Sequence, residues 1–166
     1  MMKILVLSDS HGALNFMRRC ISAVKPDAVI HLGDFYEDGQ TMAEEFPHIP
    51  FHQVPGNCDT YRMLRPVPEI LNYDVCGVRL LMTHGHKHGV KSGLLRLYYD
   101  AKQAGVQAVV YGHTHIPHCE QDDDGMWIMN PGSSGTYGGG AGLIYVEDGK
   151  IMKCVLLDPT DLEEFK

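Results

Sequence analysis

The sequence lacks the long apolar segments that membrane and secreted proteins carry. Its first apolar run, 2–7, is shorter than the roughly 7 to 15 residues of a signal-peptide core, and no run approaches the roughly 18 residues that span a membrane. The five cysteines are an odd number without a C-x-x-C pair, so neither a disulfide framework nor a thiolate zinc site is indicated. We therefore expect a soluble, cytoplasmic protein that has no membrane partner.

Positive charge is also scarce in this chain. The formal net charge of -7 argues against broad attraction to anionic lipid or nucleic acid, so no strong nucleic-acid-binding surface is expected. A length of 166 residues with 44% hydrophobic residues predicts a single domain over 1–166. The unusual count is that of histidine, with ten residues.

Short apolar runs rich in β-branched residues or leucine predict buried strands. Polar clusters that contain Asp, Asn or His follow each of them. The carboxyl ends of strands are where functional groups collect in α/β sheets, so these clusters are expected to converge on one crevice. The runs lie at 4–7, 28–32, 51–54, 78–82 and 106–111, and the clusters begin at Ser8, Gly33, Gly56, Thr83 and Gly112.

The remaining pattern predicts helices and hairpins. Apolar residues at helical spacing predict a helix between the first two strands and another after Ser92, which would be its N-cap. Turn residues at 76–77, 122–125 and 148–149 predict antiparallel hairpins. We interpret the acidic run 122–124 as a solvated turn and 158–166 as a polar tail. The whole indicates a mixed α/β protein with enough strands for two packed sheets.

The donor groups in the polar clusters point to metal chemistry. Asp9 and His11 are two residues apart, which in extended backbone places both side chains on the same side, and His113 and His115 repeat this spacing. Oxygen and nitrogen donors suit divalent Mn, Fe, Co, Ni or Zn. Two ions about 3.5 to 4 Å apart are a recurrent device for hydrolysing phosphate esters. The seven candidate ligands are Asp9, His11, Asp34, Asn57, His84, His113 and His115.

Taken together, these clusters resemble the motifs of the calcineurin-like metallophosphoesterases. The compact length and the closing Asn130-Pro131-Gly132-Ser133 are similar to the YfcE-type phosphodiesterase subgroup. The resemblance implies a sandwich of two mixed β-sheets flanked by helices, with the metals at its top edge. The blocks that carry it, in order, are Asp9-Ser10-His11, Gly33-Asp34, Gly56-Asn57-Cys58-Asp59, His84-Gly85-His86 and Gly112-His113-Thr114-His115.

Carried over position by position, the resemblance implies two metal sites that share Asp34 as a bridging ligand. A hydroxide between the two ions would attack phosphorus, with Asp34, Asn57 and His86 as the residues closest to the chemistry. Manganese is the leading choice of metal, and nickel, iron, cobalt and zinc stay open. The first implied ligand set is Asp9, His11, Asp34 and His115. The second is Asp34, Asn57, His84 and His113.

Cys58 stands where the broader family has a histidine that assists phosphate binding or the leaving group. A neutral thiol that lines the pocket is the favoured interpretation, and the sequence shows no Arg clamp to replace the lost charge. This departure favours a phosphodiester substrate with one negative charge. Asp59 either anchors a ligand imidazole or forms a turn. His86 is interpreted as a pocket wall or leaving-group partner, and His88 as a surface residue.

Several alternatives stay open at the level of the sequence. The enzyme acts on a small phosphoester, and the rival activity is that of a phosphomonoesterase or protein phosphatase. A non-catalytic scaffold similar to the retromer subunit of this fold is the second rival, since the loop that includes Tyr137 resembles that subunit's loop. The glycine-rich loop 130–140 either cradles phosphate or forms a structural turn. A homo-oligomer is compatible with the sequence, and His31 is expected to be a hydrogen-bonded core histidine.

Overall fold

Ten strands form two five-stranded sheets in the computed structural model, which describes residues 1–136 and 138–166. In chain order the strands are β1 (Met2–Leu7), β2 (Ala28–His31), β3 (Phe51–Gln53), β4 (Ile70–Val75), β5 (Val78–Thr83), β6 (Ala108–Val110), β7 (His118–Gln121), β8 (Trp127–Asn130), β9 (Ala141–Glu147) and β10 (Lys150–Leu157). The sheet orders are β10-β9-β1-β2-β3 and β4-β5-β6-β8-β7. Each sheet contains parallel and antiparallel pairs, as predicted.

Apolar side chains fill the space between the two sheets and the space between each sheet and its helices. The inner layer includes Ile4 and Val6 of β1 and Leu80 and Met82 of β5, all fully buried. Alternation along the strands sends the neighbouring residues to the outer faces. Helix α1 (Leu14–Val24) covers the first sheet and α3 (Leu95–Ala104) covers the second. The architecture is therefore the expected sandwich flanked by helices.

Helix α2 (Tyr36–Glu45) was not expected from the sequence. Its only buried residues are Asp38, Gly39 and Met42, so the apolar periodicity that reveals α1 is missing here. The helix starts directly after Asp34 and Phe35, both of which have positive φ angles. Its place between β2 and β3 supplies the crossover that two parallel neighbours require.

Two local expectations, the N-cap of α3 and the solvated acidic turn, are wrong in detail. Ser92 does not cap α3, because the N-cap residue is Leu94 and no side chain caps the helix. The acidic turn is not simply solvated, since the Asp122 carboxylate accepts hydrogen bonds from the Tyr98 hydroxyl (2.9 Å) and the Met126 N–H (2.8 Å). The acidic run thereby joins the β7–β8 hairpin to α3.

The last residues are also not a polar tail. A short 3-10 helix, Asp161–Phe165, packs against α1 and buries Leu162. The predicted hairpins across 76–77 and 148–149 are confirmed, with Cys76 and Asp148 in the left-handed region that such tight turns require. All five cysteines are free thiols. In the described residues, every helix is too short or too polar to cross a membrane.

Candidate metal centre

The polar clusters converge at the carboxyl ends of five strands, as expected. Ligands come from both sheets, because β1, β2 and β3 belong to one sheet and β5 and β6 to the other. The loop after β1 carries Asp9 and His11, the loop after β2 carries Asp34, the loop after β3 carries Asn57, the loop after β5 carries His84, and the loop after β6 carries His113 and His115.

One group of donor atoms consists of Asp9, His11, Asp34 and His115. These residues each offer a ligand atom, and the four atoms lie within 4.8 Å of one another. Asp9 is fully buried, whereas His11 is exposed. The group has the residues of the first implied ligand set and opens to solvent on the histidine side.

A second group surrounds the Nε2 atom of His84. This atom lies 3.1 Å from Asn57 Oδ1, 3.2 Å from His113 Nδ1 and 3.6 Å from Asp34 Oδ1. Asp34 is therefore adjacent to both groups, which is the position that a bridging carboxylate requires. All seven predicted donors lie in one continuous cluster.

The pattern of lone pairs in the cluster fits a divalent cation. His84 Nδ1 donates a hydrogen bond to the carbonyl oxygen of Leu32 at 2.7 Å, so Nε2 is the ring nitrogen that faces the centre. Asp9 Oδ1 is buried and makes no hydrogen bond within the described residues, although His115 Nε2 lies 3.1 Å away and His84 Nε2 lies 3.8 Å away. Buried acceptors that face one another are costly unless a cation satisfies them.

Backbone conformation explains why these side chains meet, and it differs from the expectation. Asp9, His11, Asp34, His113 and His115 all have φ angles between 44° and 71°. These angles belong to the left-handed region, which costs a non-glycine residue about 1 to 3 kcal/mol. The two-residue spacing therefore does not act through extended backbone. It acts through tight turns that the surrounding contacts hold in place.

Two glycines allow the loops to approach each other at the centre. A Cβ atom on Gly112 would lie 2.1 Å from Ser8 Oγ and 2.7 Å from Asp9 Oδ2. A Cβ atom on Gly56 would lie 2.1 Å from Asp34 Oδ1. All three distances are far below van der Waals contact, so glycine is required where each of these loops passes its neighbour.

The glycine-rich loop 130–140 contacts the first ligand loop through its backbone and hydroxyl groups. Ser133 Oγ donates a hydrogen bond to the Asp9 carbonyl oxygen at 2.7 Å, and the Ser134 N–H donates to the Ser8 carbonyl oxygen at 2.9 Å. The Gly135 N–H also points to the Asp9 carbonyl oxygen, at 3.3 Å. These contacts favour the structural interpretation of the loop. Tyr137 lies outside the described residues.

Local electrostatics favour the protonation states that bind metal. Burial, followed by the neighbouring His84, lowers the pKa of His113 to about 4. Burial alone would raise the pKa of Asp34, but His84 and the N–H of Cys58 outweigh it, so this pKa is lowered. At neutral pH the centre therefore presents a neutral imidazole at His113 and an ionised carboxylate at Asp34.

Cys58 and His86 lie at the edge of the centre. Burial and the Asp34 carboxylate raise the pKa of the Cys58 thiol, so the side chain is the expected neutral thiol. The His86 ring lies 5.5 Å from the His84 ring, and its Nε2 atom lies 3.4 Å from Glu69 Oε1. Glu69 carries no motif signal, and sequence reasoning missed it.

Three other expectations can be compared with the structure directly. His88 is not a surface residue, since it is buried and its Nε2 atom lies 2.9 Å from Asp100 Oδ2. Among the described residues, the Asp59 carboxylate forms no hydrogen bond to an imidazole and accepts backbone N–H groups instead. His31 is the expected core histidine, with Nε2 at 2.9 Å from Ser10 Oγ.

The exposed Arg62 side chain packs over Phe35, the residue that follows Asp34. The Arg62 guanidinium carbon lies 5.8 Å from the centre of the Phe35 ring. That ring in turn lies 5.1 Å from the His11 ring. Motif analysis missed Arg62 because it lies beyond the Gly56–Asp59 block, on an exposed 3-10 turn over Thr60–Arg62.

Comparisons with known proteins agree with this fold. A probable metallophosphoesterase of Bacillus subtilis, YsnB, is 34% identical over 134 residues, which cover 80% of this chain and 75% of that protein. The phosphodiesterase YfcE of Escherichia coli K12 is 30% identical over 161 residues, covering 84% and 83%. A crystal structure from Streptococcus pneumoniae, described as a predicted phosphoesterase, has a TM-score of 0.73 at 24% identity, covering 95% and 89%. The calcineurin-like phosphoesterase superfamily domain matches residues 2–148, and the chain belongs to this family.

Proposed function

We propose that the protein is a phosphodiesterase that depends on two divalent metal ions and acts on a small phosphoester in the cytoplasm. The convergence of seven donors in one cluster, which includes a buried Asp9 Oδ1 that accepts no hydrogen bond within the described residues, carries this proposal. Manganese is the proposed metal, with nickel, iron, cobalt or zinc as alternatives that the same oxygen and nitrogen donors suit. The first ion would be held by Asp9, His11, Asp34 and His115. The second would be held by Asp34, Asn57, His84 and His113.

Charge at the centre explains how an acidic protein would bind a phosphate ester. Such a pair of ions, when bound, lowers the pKa of a shared water and stabilises negative charge on phosphoryl oxygens. Asp9 and Asp34 contribute only two negative charges against the four positive charges of two divalent ions. The centre would therefore be a locally positive spot in a chain of net charge -7. Asp34, which lies between both groups, is the proposed bridging ligand.

His86 is the proposed partner of the leaving group. Its ring lies just outside the cluster of donors, with its centre 5.5 Å from the centre of the His84 ring and 6.2 Å from that of His113. Glu69 faces Nε2 at 3.4 Å and so restricts the orientation of the ring. In this position the imidazole can supply a hydrogen-bond donor to the departing oxygen without serving as a metal ligand.

The space around the centre favours a diester. A diester has two substituents on phosphorus. The cluster extends from His115 through Asp9 and His84 to His86, and a cleft lies at each end of it. The cleft beside His115 has a volume of about 500 Å³ and is lined by apolar residues such as Leu156. The cleft beside His86 has a volume of about 390 Å³. Each is large enough for a small ester group.

Arg62 favours a phosphomonoesterase as the second candidate function. A monoester dianion carries one more negative charge than a diester, and the guanidinium of Arg62 stands over Phe35, whose ring lies 5.1 Å from the His11 ring. The side chain is exposed, and its Nε donates a hydrogen bond to the hydroxyl oxygen of its neighbour Tyr61 at 3.1 Å. A movement of this side chain would bring a positive charge towards the metals.

The experiment that tests the proposal combines metal analysis with turnover. Protein reconstituted with manganese should bind two ions per chain and hydrolyse bis(4-nitrophenyl) phosphate faster than 4-nitrophenyl phosphate. His11→Ala should lose one ion and most activity, whereas His48→Ala, an exposed histidine far from the motifs, should retain both. Faster monoester turnover would favour the second candidate. Two bound ions without hydrolysis of either ester would favour the scaffold alternative.

A further inference from the structure

Asp59 is a buried carboxylate that belongs to neither group of metal donors. Only 3% of its surface is exposed, and it follows Asn57 by two positions. A carboxylate at such a depth must be satisfied by hydrogen bonds, and no arginine or lysine forms an ion pair with it among the described residues. Its partners are therefore informative.

Four backbone N–H groups donate to the two oxygens of this carboxylate. Oδ2 accepts from Asp34 at 2.8 Å and from Gly56 at 2.7 Å. Oδ1 accepts from Phe35 at 2.9 Å and from Tyr36 at 3.0 Å, at the start of α2. One oxygen thus joins the loop after β2 to the loop after β3, and the other caps the helix that follows Asp34.

The same segment holds Asp34 a second time, through its side chain. The N–H of Cys58 donates to Asp34 Oδ1 at 3.0 Å, so both the backbone and the carboxylate of Asp34 are fixed by residues 58–59. Gly33 and Gly56 pass each other at this junction, where a Cβ atom on Gly33 would lie 2.3 Å from the Gly56 nitrogen. The junction therefore has little freedom once the Asp59 contacts are made.

We propose that Asp59 is a positioning residue that fixes Asp34 and Asn57 relative to each other and so couples the two metal sites. The inference rests on the proposed function, because Asp34 is assigned there as the shared ligand and Asn57 as a ligand of the second ion. Groups that orient ligands without touching the metal typically change metal affinity or activity by about 10- to 100-fold when they are replaced. In many metal sites the supporting group is hydrogen-bonded to a ligand imidazole. Asp59 instead holds backbone N–H groups of the loops that carry Asp34 and Asn57.

The test compares wild-type protein with Asp59→Asn by titration calorimetry with manganese. Asparagine has nearly the same shape, but its amide group would face two N–H donors and lose their hydrogen bonds. We expect the weaker of the two binding steps to lose about 10- to 100-fold in affinity. Asp27→Asn is the matched control, since Asp27 Oδ2 also accepts a backbone N–H, that of Lys3 at 2.8 Å, away from the centre.

A second measurement in wild-type protein does not depend on the folding of the variant. Addition of zinc or manganese should slow amide hydrogen exchange at Asp34, Phe35, Tyr36 and Gly56 together, as measured on peptides covering 33–37 and 55–58. Peptides from α1 should change little. An Asp59→Asn protein that binds both ions with wild-type affinity would overturn the inference, as would unchanged exchange in metal-loaded wild-type protein. Wild-type protein that binds no ion would overturn the proposed function as well.

Discussion

His84 Nδ1 donates to the carbonyl oxygen of Leu32, so a proposed metal ligand at the end of β5 is oriented by the end of β2 in the opposite sheet. The distance between the two atoms is 2.7 Å. This bond fixes the ring tautomer and directs Nε2 towards Asn57 and Asp34. The geometry of the centre therefore depends on how the two sheets pack.

His84→Ala should reduce the metal content from two ions to one. The side chain removed is the one that meets Asn57, His113 and Asp34, whereas the group around Asp9 retains its four donors. Elemental analysis after manganese reconstitution and removal of free metal would measure the change. Retention of both ions would contradict the assignment of His84.

Asp34→Asn should abolish turnover more completely than His86→Ala. The first change removes an anionic ligand that stands between both groups of donors, and the second removes a residue outside them. Turnover of bis(4-nitrophenyl) phosphate by metal-loaded variants, with circular dichroism to verify folding, would compare the two. Equal and mild losses would show that Asp34 is not shared.

Cys58→His should raise monoesterase activity relative to diesterase activity by about 10- to 100-fold in kcat/KM, equivalent to about 1.4 to 2.8 kcal/mol. An imidazolium can neutralise the extra charge of a monoester, whereas the neutral thiol of Cys58 cannot. The ratio should be measured with matched nitrophenyl esters. An unchanged ratio in folded, metal-loaded Cys58→His would show that another group determines the substrate preference. Arg62→Ala in the same assay would test whether that group is the guanidinium of Arg62.

The metal-free protein should lose stability as the pH falls from about 6.5 to 4. Burial lowers the pKa of His31 to about 4, so in this range the unfolded chain binds a proton that the folded protein does not. His31 changes the free energy of unfolding by at most about 1.4 kcal/mol per pH unit in this range, and above pH 6.5 it causes no pH dependence. Urea unfolding in EDTA would show a flatter pH dependence for His31→Gln and an unchanged one for His48→Gln.

Leu162→Ala should lower the free energy of unfolding by about 2 to 4 kcal/mol, because it leaves a cavity between the last 3-10 helix and α1. Leu64→Ala is the control, since Leu64 is fully exposed. Denaturant unfolding would measure both. A small effect at Leu162 would restore the interpretation of 158–166 as a polar tail.

Apolar runs and turn residues predict most of the fold because burial determines both. Strand β1 contains a continuous apolar run and helix α1 has a regular apolar period, and the tight turns at 76–77 and 148–149 have their expected residues. Helix α2 could not be predicted in this way because it buries only Met42 as a large apolar side chain. Its position depends instead on hydrogen bonds to Asp59.

The candidate site was predictable as a set of residue types, but its geometry was not. Asp9 and His11 meet through left-handed backbone angles that spacing alone does not encode. Glu69 faces His86 and Arg62 packs over Phe35 through tertiary contacts from segments without motifs. Such contacts depend on loop paths that only the folded chain defines.

Because donors from both sheets meet in one cluster, bound ions would act as a cross-link between the two halves of the sandwich. Ligands that bind only the folded state stabilise it by RT ln(1 + [L]/Kd), about 2.7 kcal/mol at a hundredfold excess over Kd. Separation of β2 from β5 would pull Leu32 away from His84 and so weaken the grip on the metal. Packing of the two sheets and occupancy of the proposed metal sites would therefore be thermodynamically coupled, so that metal binding would raise the free energy of unfolding.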